Sequence, residues 1–198
     1  TVISKEEKKE RRVLTIRETE SFLEQARDTF YYNLFVLALE TGLRVGELCA
    51  LQWQDINFRK RVLYVRHTLC YFSKDGKYVF EMHDTKTNNG RRTIPLTEKA
   101  VNTLKRQKLQ KQEIVLKGKV APKEYENLVF VTKNNQPTQQ FLINQCMDLI
   151  IRKVNKAGIE LQPFTPHTFR HTFATRAIES GMNPKTLQRI LGHGTLQM

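Results

Sequence analysis

The 198-residue sequence has few cysteines and no long apolar segment. Cys49, Cys70 and Cys146 are widely spaced and form no C-x-x-C pair, which argues against a disulfide framework and against a zinc ribbon. There is no run of about 18 apolar residues that could cross a membrane, and no signal-like segment follows Thr1. These absences predict a protein of the reducing cytoplasm that has no membrane partner.

Acidic residues are also scarce relative to basic ones. The sequence has 20 Asp and Glu against 33 Lys and Arg, which gives a formal net charge of +13. Such an excess favours a polyanionic partner, with nucleic acid as the first candidate, although solvated surface lysines would give the same composition. No carboxylate-rich cluster suited to metal ions is present. The sequence therefore predicts no metal and no other cofactor, and it argues against a two-metal nuclease.

The apolar spacing predicts a single, mainly helical domain, since 39% hydrophobic residues suffice for one substantial core. Residues 15–18 form a capping-box pattern at the start of a first helix. Gly42 ends a second helix that is apolar around most of its circumference, which is typical of a buried element. The predicted helices cover residues 15–27, 31–40, 45–51, 97–117, 139–156, 166–180 and 184–191.

Extended segments are few and lie mostly in the middle of the sequence. Residues 62–71, 78–82 and 92–96 have strand character, and a turn at 73–77 joins the first two. We therefore predict an α+β fold, mainly α-helical with a small three-stranded antiparallel sheet. A brief strand or extended segment is also predicted at 128–131.

Three short clusters place cationic hydrogen-bond donors at the ends of predicted helices, at residues 41–47, 166–171 and 191–193. In the first cluster, Arg44 lies directly before a helix and presents a planar fork that suits two phosphate oxygens. Glu47 lies one helical turn later, where it can orient that fork. The alternative is an ordinary ion pair on a helix surface.

The second cluster places His167 and Arg170 three residues apart on one helix, so that a ligand can reach both. His167 and His171 have the i,i+4 spacing of a zinc site, but Thr168 stands where metalloproteases have a glutamate base. We interpret His171 mainly as a supporting hydrogen-bonding residue.

Two further basic features follow turns or helix ends. The turn at 88–90 presents Lys86 from a predicted hairpin, and Arg91 and Arg92 follow it as candidate contacts to the DNA backbone. Lys86 can serve the same purpose as these arginines. His193 follows a Leu-Gly pair, where a histidine often caps the last carbonyl groups of a helix.

In this order and spacing, Arg44, the His167-x-x-Arg170 pair, His193 and the turn that presents Lys86 resemble the constellation of tyrosine site-specific recombinases, the phage-type integrases. The resemblance covers nearly the whole chain and implies the DNA breaking-rejoining fold. It also implies that these five residues are catalytic, with Lys86 as a general acid toward the leaving 5′ oxygen. No cofactor is needed, because a 3′-phosphotyrosine conserves the energy of the broken bond.

The resemblance places the nucleophilic tyrosine several residues after the Leu-Gly-His motif, where only residues 194–198 remain. We therefore expect this nucleophile beyond Met198 and expect the present chain to be inactive by itself. The six tyrosines in the chain precede Arg170 and are interpreted as packing or groove residues: Tyr31, Tyr32, Tyr64, Tyr71, Tyr78 and Tyr125.

The predicted organisation is a charged linker at residues 1–12, from a core-binding domain outside this chain, followed by a catalytic domain at 13–198 that lacks its C-terminal end. The predicted function is integration or excision of a mobile element at double-stranded DNA attachment sites. The whole protein would act as a homotetramer on DNA and the present chain would be a monomer. The alternatives are a noncatalytic DNA-binding module, a type IB topoisomerase-like enzyme and a metal-dependent nuclease.

Overall fold

A computed structural model describes residues 12–84 and 90–192. The described residues form helices and short strands, as the sequence predicts. The helices are α1 (Ile16–Ala26), α2 (Tyr32–Thr41), α3 (Val45–Ala50), α4 (Glu98–Leu116), α5 (Gln140–Lys156), α6 (Pro166–Glu179) and α7 (Pro184–Leu191). The strands are β1 (Ile56–Asn57), β2 (Val62–Val65), β3 (His67–Lys74), β4 (Lys77–Asp84) and β5 (Arg92–Pro95).

The predicted helix boundaries are confirmed because their signals are local. Thr15 Oγ1 accepts a hydrogen bond from Glu18 N at 3.1 Å and Glu18 Oε2 accepts one from Thr15 N at 2.7 Å, which is the predicted capping box. Thr97 caps α4 by accepting from Ala100 N. Gly42 ends α2 with a left-handed φ of 63°, a conformation that glycine adopts without steric cost.

The small antiparallel sheet is confirmed, but its strands differ from those predicted. It has the order β1-β2-β5, and β3 and β4 form a separate two-stranded hairpin. The extended segment predicted at 62–71 is therefore two strands separated by Arg66. Beyond Arg66 the chain leaves the sheet and packs on α3, where a Cβ at Gly46 would lie 2.5 Å from Thr68 Oγ1. This close approach between distant segments has no local signature in the sequence.

The brief strand or extended segment predicted at 128–131 joins neither sheet, and its backbone bends at residues 129 and 130. Val129 N donates to Leu51 O at 2.7 Å, and Leu128 and Val131 each take part in an isolated bridge. All four residues of the segment are buried. The segment therefore adds one wall of the core.

The core is centred on α2, whose predicted burial is confirmed. Phe22, Phe35, Phe164 and Phe169 pack edge to face or tilted, with ring centroids 5.3 to 5.7 Å apart. These rings connect α1, α2 and α6 and so hold the N-terminal part of α6 against α2, the helix that precedes Arg44 in the sequence. Within residues 12–84 and 90–192, no helix is both long enough and apolar enough to cross a membrane.

Candidate active site

The turn between α2 and α3 brings Arg44 to the start of a helix. Gly42 lies close to α6 and α7, because a Cβ at this position would be 2.5 Å from Phe173 Cδ1 and 3.0 Å from Leu191 Cδ2. The turn is therefore pressed against both helices, and only glycine fits it. Arg44 follows as the N-cap residue of α3, in extended backbone. The sequence prediction that Arg44 precedes a helix is confirmed.

Glu47 is the shared acceptor of two arginines that are far apart in the sequence. Its Oε2 accepts from Arg44 N at 2.8 Å, and its Oε1 accepts from Arg44 Nη1 at 3.0 Å. Arg92 binds the same carboxylate with both terminal nitrogens, Nη1 to Oε1 at 2.8 Å and Nη2 to Oε2 at 2.7 Å. The side chains of Glu47 and Arg92 are only 4% and 5% exposed, whereas that of Arg44 is 41% exposed. Arg44 is therefore held by Glu47 while part of its guanidinium faces solvent.

The charges around Glu47 keep it ionised. Burial by itself would raise the pKa of Glu47, but hydrogen bonds from Arg92 and the charges of Arg92 and Arg44 lower it below its ordinary value. Glu47 is thus a permanent anion beneath Arg44 at neutral pH. The expectation that Glu47 can orient the guanidinium of Arg44 agrees with this geometry.

Arg170 is buried on α6 and binds neutral acceptors. Its Nη1 donates to Gly42 O at 2.7 Å and its Nη2 donates to Leu191 O at 2.5 Å. Burial, reinforced by the positive charges of Arg44 and Arg92 and opposed by Glu47, lowers the pKa of Arg170 to about 9. The Arg170 guanidinium remains charged at neutral pH, but its two hydrogen-bond acceptors are neutral carbonyl groups that do not offset this charge.

In the described part of the chain, two guanidinium groups bind the Glu47 carboxylate and a third, that of Arg170, lies near enough to feel its charge. Arg44, Arg92 and Glu47 are the charged groups that act on Arg170, so the cluster has an excess of two positive charges. Such an excess is costly in a partly buried site and is relieved when an anion binds. Hydrogen-bond donors fixed in advance around an anion are also the arrangement that stabilises a phosphoryl transition state.

His167 and His171 lie on α6 beside Arg170. His167 is exposed and His171 is half-buried, and their rings meet edge to face with centroids 4.7 Å apart. Between residues 12–84 and 90–192, no group of three or more His, Cys, Asp and Glu side chains is arranged to hold a metal ion. His167 thus lies one helical turn from Arg170, as the sequence predicts.

Lys86 and His193 lie outside the described residues, in 85–89 and 193–198. Their described neighbours are attached to the arginine cluster. Gly90 O accepts a hydrogen bond from Arg92 Nη1 at 3.3 Å, and Gly192 is the residue that ends α7 directly after Leu191.

Arg91 and Arg92, predicted together as contacts to the DNA backbone, take different positions. The Arg91 side chain is 66% exposed and pairs with Asp84 at 3.0 Å. It lines an open groove of about 520 Å³ with Tyr64, Arg66 and His67. Arg92 is buried against Glu47 and Ile190. No sequence signal separates the two adjacent arginines: Arg91 lies just before β5 and Arg92 is the first residue of β5.

Comparison with known proteins identifies the family of this chain. A sequence model described as the phage integrase family matches residues 7–198. The chain belongs to the phage integrase family. The transposase from transposon Tn916 of Enterococcus faecalis is 32% identical over 191 residues, which covers 94% of this chain and 46% of that protein. A XerC-like tyrosine recombinase of Caldanaerobacter subterraneus is 33% identical over 172 residues, which covers 83% of this chain and 43% of that protein.

Solved structures show the same fold. The Tn1549 transposon integrase in complex with transposon right end DNA superimposes with a TM-score of 0.78 and 33% identity, over 94% of this chain and 59% of that one. A lambda integrase tetramer bound to a Holliday junction matches with a TM-score of 0.61 and 23% identity over 97% of this chain, which supports the fold alone. The fold is that of a tyrosine recombinase catalytic domain. The chain spans about half the length of the curated relatives that it matches.

Proposed function

We propose that this chain is the catalytic part of a tyrosine recombinase that integrates or excises a mobile element at double-stranded DNA attachment sites. The observation that carries the proposal is the cluster of Arg44, Arg92 and Arg170 around Glu47, which has more positive charge than its own carboxylate offsets. The relatives named for transposons support a mobile element, and the Tn1549 complex supports DNA as the substrate. Because the proposed substrate is DNA, the proposed location is the cytoplasm.

The proposed chemistry is metal-free displacement at a phosphodiester. Arg44 and Arg170 would donate to the nonbridging oxygens, where negative charge increases in the transition state. Arg44 is suited to this because Glu47 fixes it while its guanidinium stays partly exposed. His167 and His193 would add donors, Lys86 would protonate the leaving 5′ oxygen, and Arg91 would contact the DNA backbone from its exposed position.

The proposed organisation extends beyond this chain. We propose that residues 1–12 are a linker and that residues 13–198 belong to the catalytic domain. The nucleophile would be a tyrosine outside residues 1–198, so that this chain alone does not cleave DNA and is monomeric. The full-length protein would act as a homotetramer on its sites.

The test is a covalent adduct formed in the absence of free metal ions. The full-length protein is incubated with end-labelled attachment-site DNA and a chelator, and a protein-linked strand is sought on a denaturing gel. Arg44→Gln should abolish the adduct, since it removes an exposed phosphate donor and leaves the buried network of Arg92 in place. Arg106→Gln, on an exposed position of α4, is the matched control and should leave the adduct unchanged.

Each alternative function predicts a different result in the same assay. Binding without any adduct would favour a noncatalytic DNA-binding module. Relaxation of supercoiled plasmid that lacks an attachment site would favour a topoisomerase. Cleavage that disappears with the chelator would favour a metal-dependent nuclease.

A further inference from the structure

Arg92 connects three segments that each lead to a proposed catalytic residue. Its Nε donates to Ile190 O at 2.6 Å, its Nη1 donates to Glu47 Oε1 and to Gly90 O, and its Nη2 donates to Glu47 Oε2. We propose that Arg92 is a positioning residue for the strand-cleavage reaction, in place of the DNA-backbone contact that its sequence position indicates. The proposal rests on the proposed function and adds a residue to its machinery.

The first connection runs through Glu47 to Arg44. Both carboxylate oxygens of Glu47 accept hydrogen bonds from Arg92. They also accept from the backbone N and the Nη1 of Arg44. A carboxylate held from one side by a fork of two short hydrogen bonds has little freedom to rotate. Arg92 therefore fixes the acceptor that fixes the exposed guanidinium of Arg44.

The other two connections run through backbone carbonyl groups. Ile190 O belongs to the last turn of α7, where the carbonyl groups have no partner within the helix. Arg92 satisfies one of them and Arg170 satisfies the next, Leu191 O. The chain continues from there to His193. Gly90 follows directly on residues 85–89, which include Lys86, and its carbonyl group also accepts from Arg92.

Arg92 borders the same groove as Arg91, but its side chain is directed into the protein. Its side chain is 5% exposed, and each of its three nitrogens donates to a protein oxygen. Arg91 is the adjacent residue, has the same chemistry and is 66% exposed. Substitutions of Arg91 and Arg92 therefore compare the same side chain in an exposed and in a buried position.

The first experiment separates DNA affinity from the rate at saturation in the full-length protein. Arg92→Gln, Arg92→Lys and the control Arg106→Gln are compared by single-turnover cleavage at saturating DNA, below the unfolding temperature of every variant. Arg91→Gln is compared with them in DNA binding. Arg92→Gln should lower the cleavage rate by roughly 100-fold, since small displacements of reacting groups have effects of this size. Its DNA Kd and the salt dependence of that Kd should stay unchanged.

The other variants show which results would contradict the proposal. Arg91→Gln should flatten the salt dependence of binding by about one unit of slope, as expected for one phosphate contact. Arg106→Gln, outside the site, should leave the saturated rate unchanged. Arg92→Lys keeps the charge but not the fork, so it should recover only part of the rate. If Arg92→Gln flattens the salt dependence of binding as Arg91→Gln does, or if it lowers only the unfolding temperature and leaves the saturated rate unaffected, the proposal is wrong.

A second measurement does not depend on cleavage. Hydrogen exchange in Arg92→Gln should accelerate in peptides covering 184–192 and 44–50, and it should be unchanged in peptides of α1, which does not contact Arg92. Unchanged exchange in all three regions would contradict the proposal. If the wild-type protein forms no adduct, the proposed function fails, and this measurement still decides whether Arg92 holds these segments.

Discussion

Glu47 is the buried carboxylate at the centre of the site. It accepts from Arg44 and Arg92 through both of its oxygens, and it is nearly fully buried. Removal of one partner from a buried charge network costs more than the network contributes as a whole, because the remaining charges lose their compensation. The consequences of changing this residue should therefore be large and dependent on pH.

Glu47→Gln should lower the free energy of unfolding by about 3 kcal/mol at neutral pH, since the buried Arg92 and the partly exposed Arg44 would lose their carboxylate. Urea unfolding followed by circular dichroism measures this difference. Glu113→Gln, at an exposed position on α4, is the matched control and should change the free energy by less than about 0.5 kcal/mol. If both substitutions change the free energy of unfolding equally, the buried network around Glu47 does not stabilise the fold as we predict.

The pH dependence of the same variant has a defined sign. The folded pKa of Glu47 is below the ordinary value of 4.5, so its ionisation stabilises the fold above pH 4.5. That contribution is lost as the pH falls through the lower, folded pKa. The difference in unfolding free energy between wild type and Glu47→Gln should thus be constant at neutral pH and shrink in acid. A difference that grows below pH 4.5 would exclude the predicted ionisation.

At the scale of elements, the turn from α2 to α3 depends on a glycine. Gly42→Ala should destabilise the protein by about 3 kcal/mol, because the backbone is left-handed and the new Cβ would overlap Phe173. Gly158→Ala is the control: its φ is also positive, at 84°, but nothing lies within 4 Å of the new Cβ. It should cost only about 1 kcal/mol. Thermal unfolding of both variants tests whether close packing, rather than backbone conformation alone, demands Gly42.

Helix α4 is joined to the buried segment 128–131 by a lysine. Lys111 Nζ donates to Glu126 O and Leu128 O at 2.5 Å each. Burial, opposed by the charge of Glu126, lowers the pKa of Lys111 to about 8. The unfolded chain therefore binds more protons at this residue than the folded chain between pH 8 and the ordinary value of 10.5.

Lys111→Met tests this linkage by removing the titrating group. Wild-type stability relative to the variant should rise as the pH increases from about 8 to 10.5, and it should be flat at neutral pH. Lys108→Met, on the exposed face of the same helix, should show no such trend. Chemical unfolding across this pH range measures both differences. Parallel curves for wild type and Lys111→Met would show that the residue titrates as it does in the unfolded chain.

At the scale of the whole molecule, the chain carries a formal charge of +13 in addition to the excess positive charge of the arginine cluster. Most of this charge is spread over the surface, where salt screens its attraction for DNA. The arginine cluster, in contrast, would attract a single phosphate. DNA affinity should therefore have a large part that is independent of sequence and dependent on salt.

Fluorescence anisotropy with duplex DNA at several salt concentrations measures that part. The logarithm of the association constant should fall linearly with the logarithm of salt concentration, with a slope of about −0.9 for each phosphate neutralised. Arg44→Gln should reduce the slope by about one unit, and Glu113→Gln should not change it. An affinity that is insensitive to salt would contradict the electrostatic interpretation of the composition.

Much of this architecture could be predicted from the sequence because its signals are local. The capping box at Thr15 and Glu18, the glycine that ends α2, and the buried character of α2 depend on neighbouring residues and on periodicity. The same holds for Arg44 before α3 and for His167 and Arg170 on one helix. Most candidate site residues could likewise be selected from the sequence because they lie in short motifs.

The tertiary structure alone decided the rest, because it depends on residues that are distant in the sequence. The strand pairing of β5 with β2, the separation of the β3-β4 hairpin and the attachment of Leu128 and Val129 beside α3 follow from packing on helices. The clearest case is Arg92. The sequence determined that two adjacent arginines follow a turn, but only the fold placed Glu47, Gly90 and Ile190 around the second of them and so buried one charge while exposing the other.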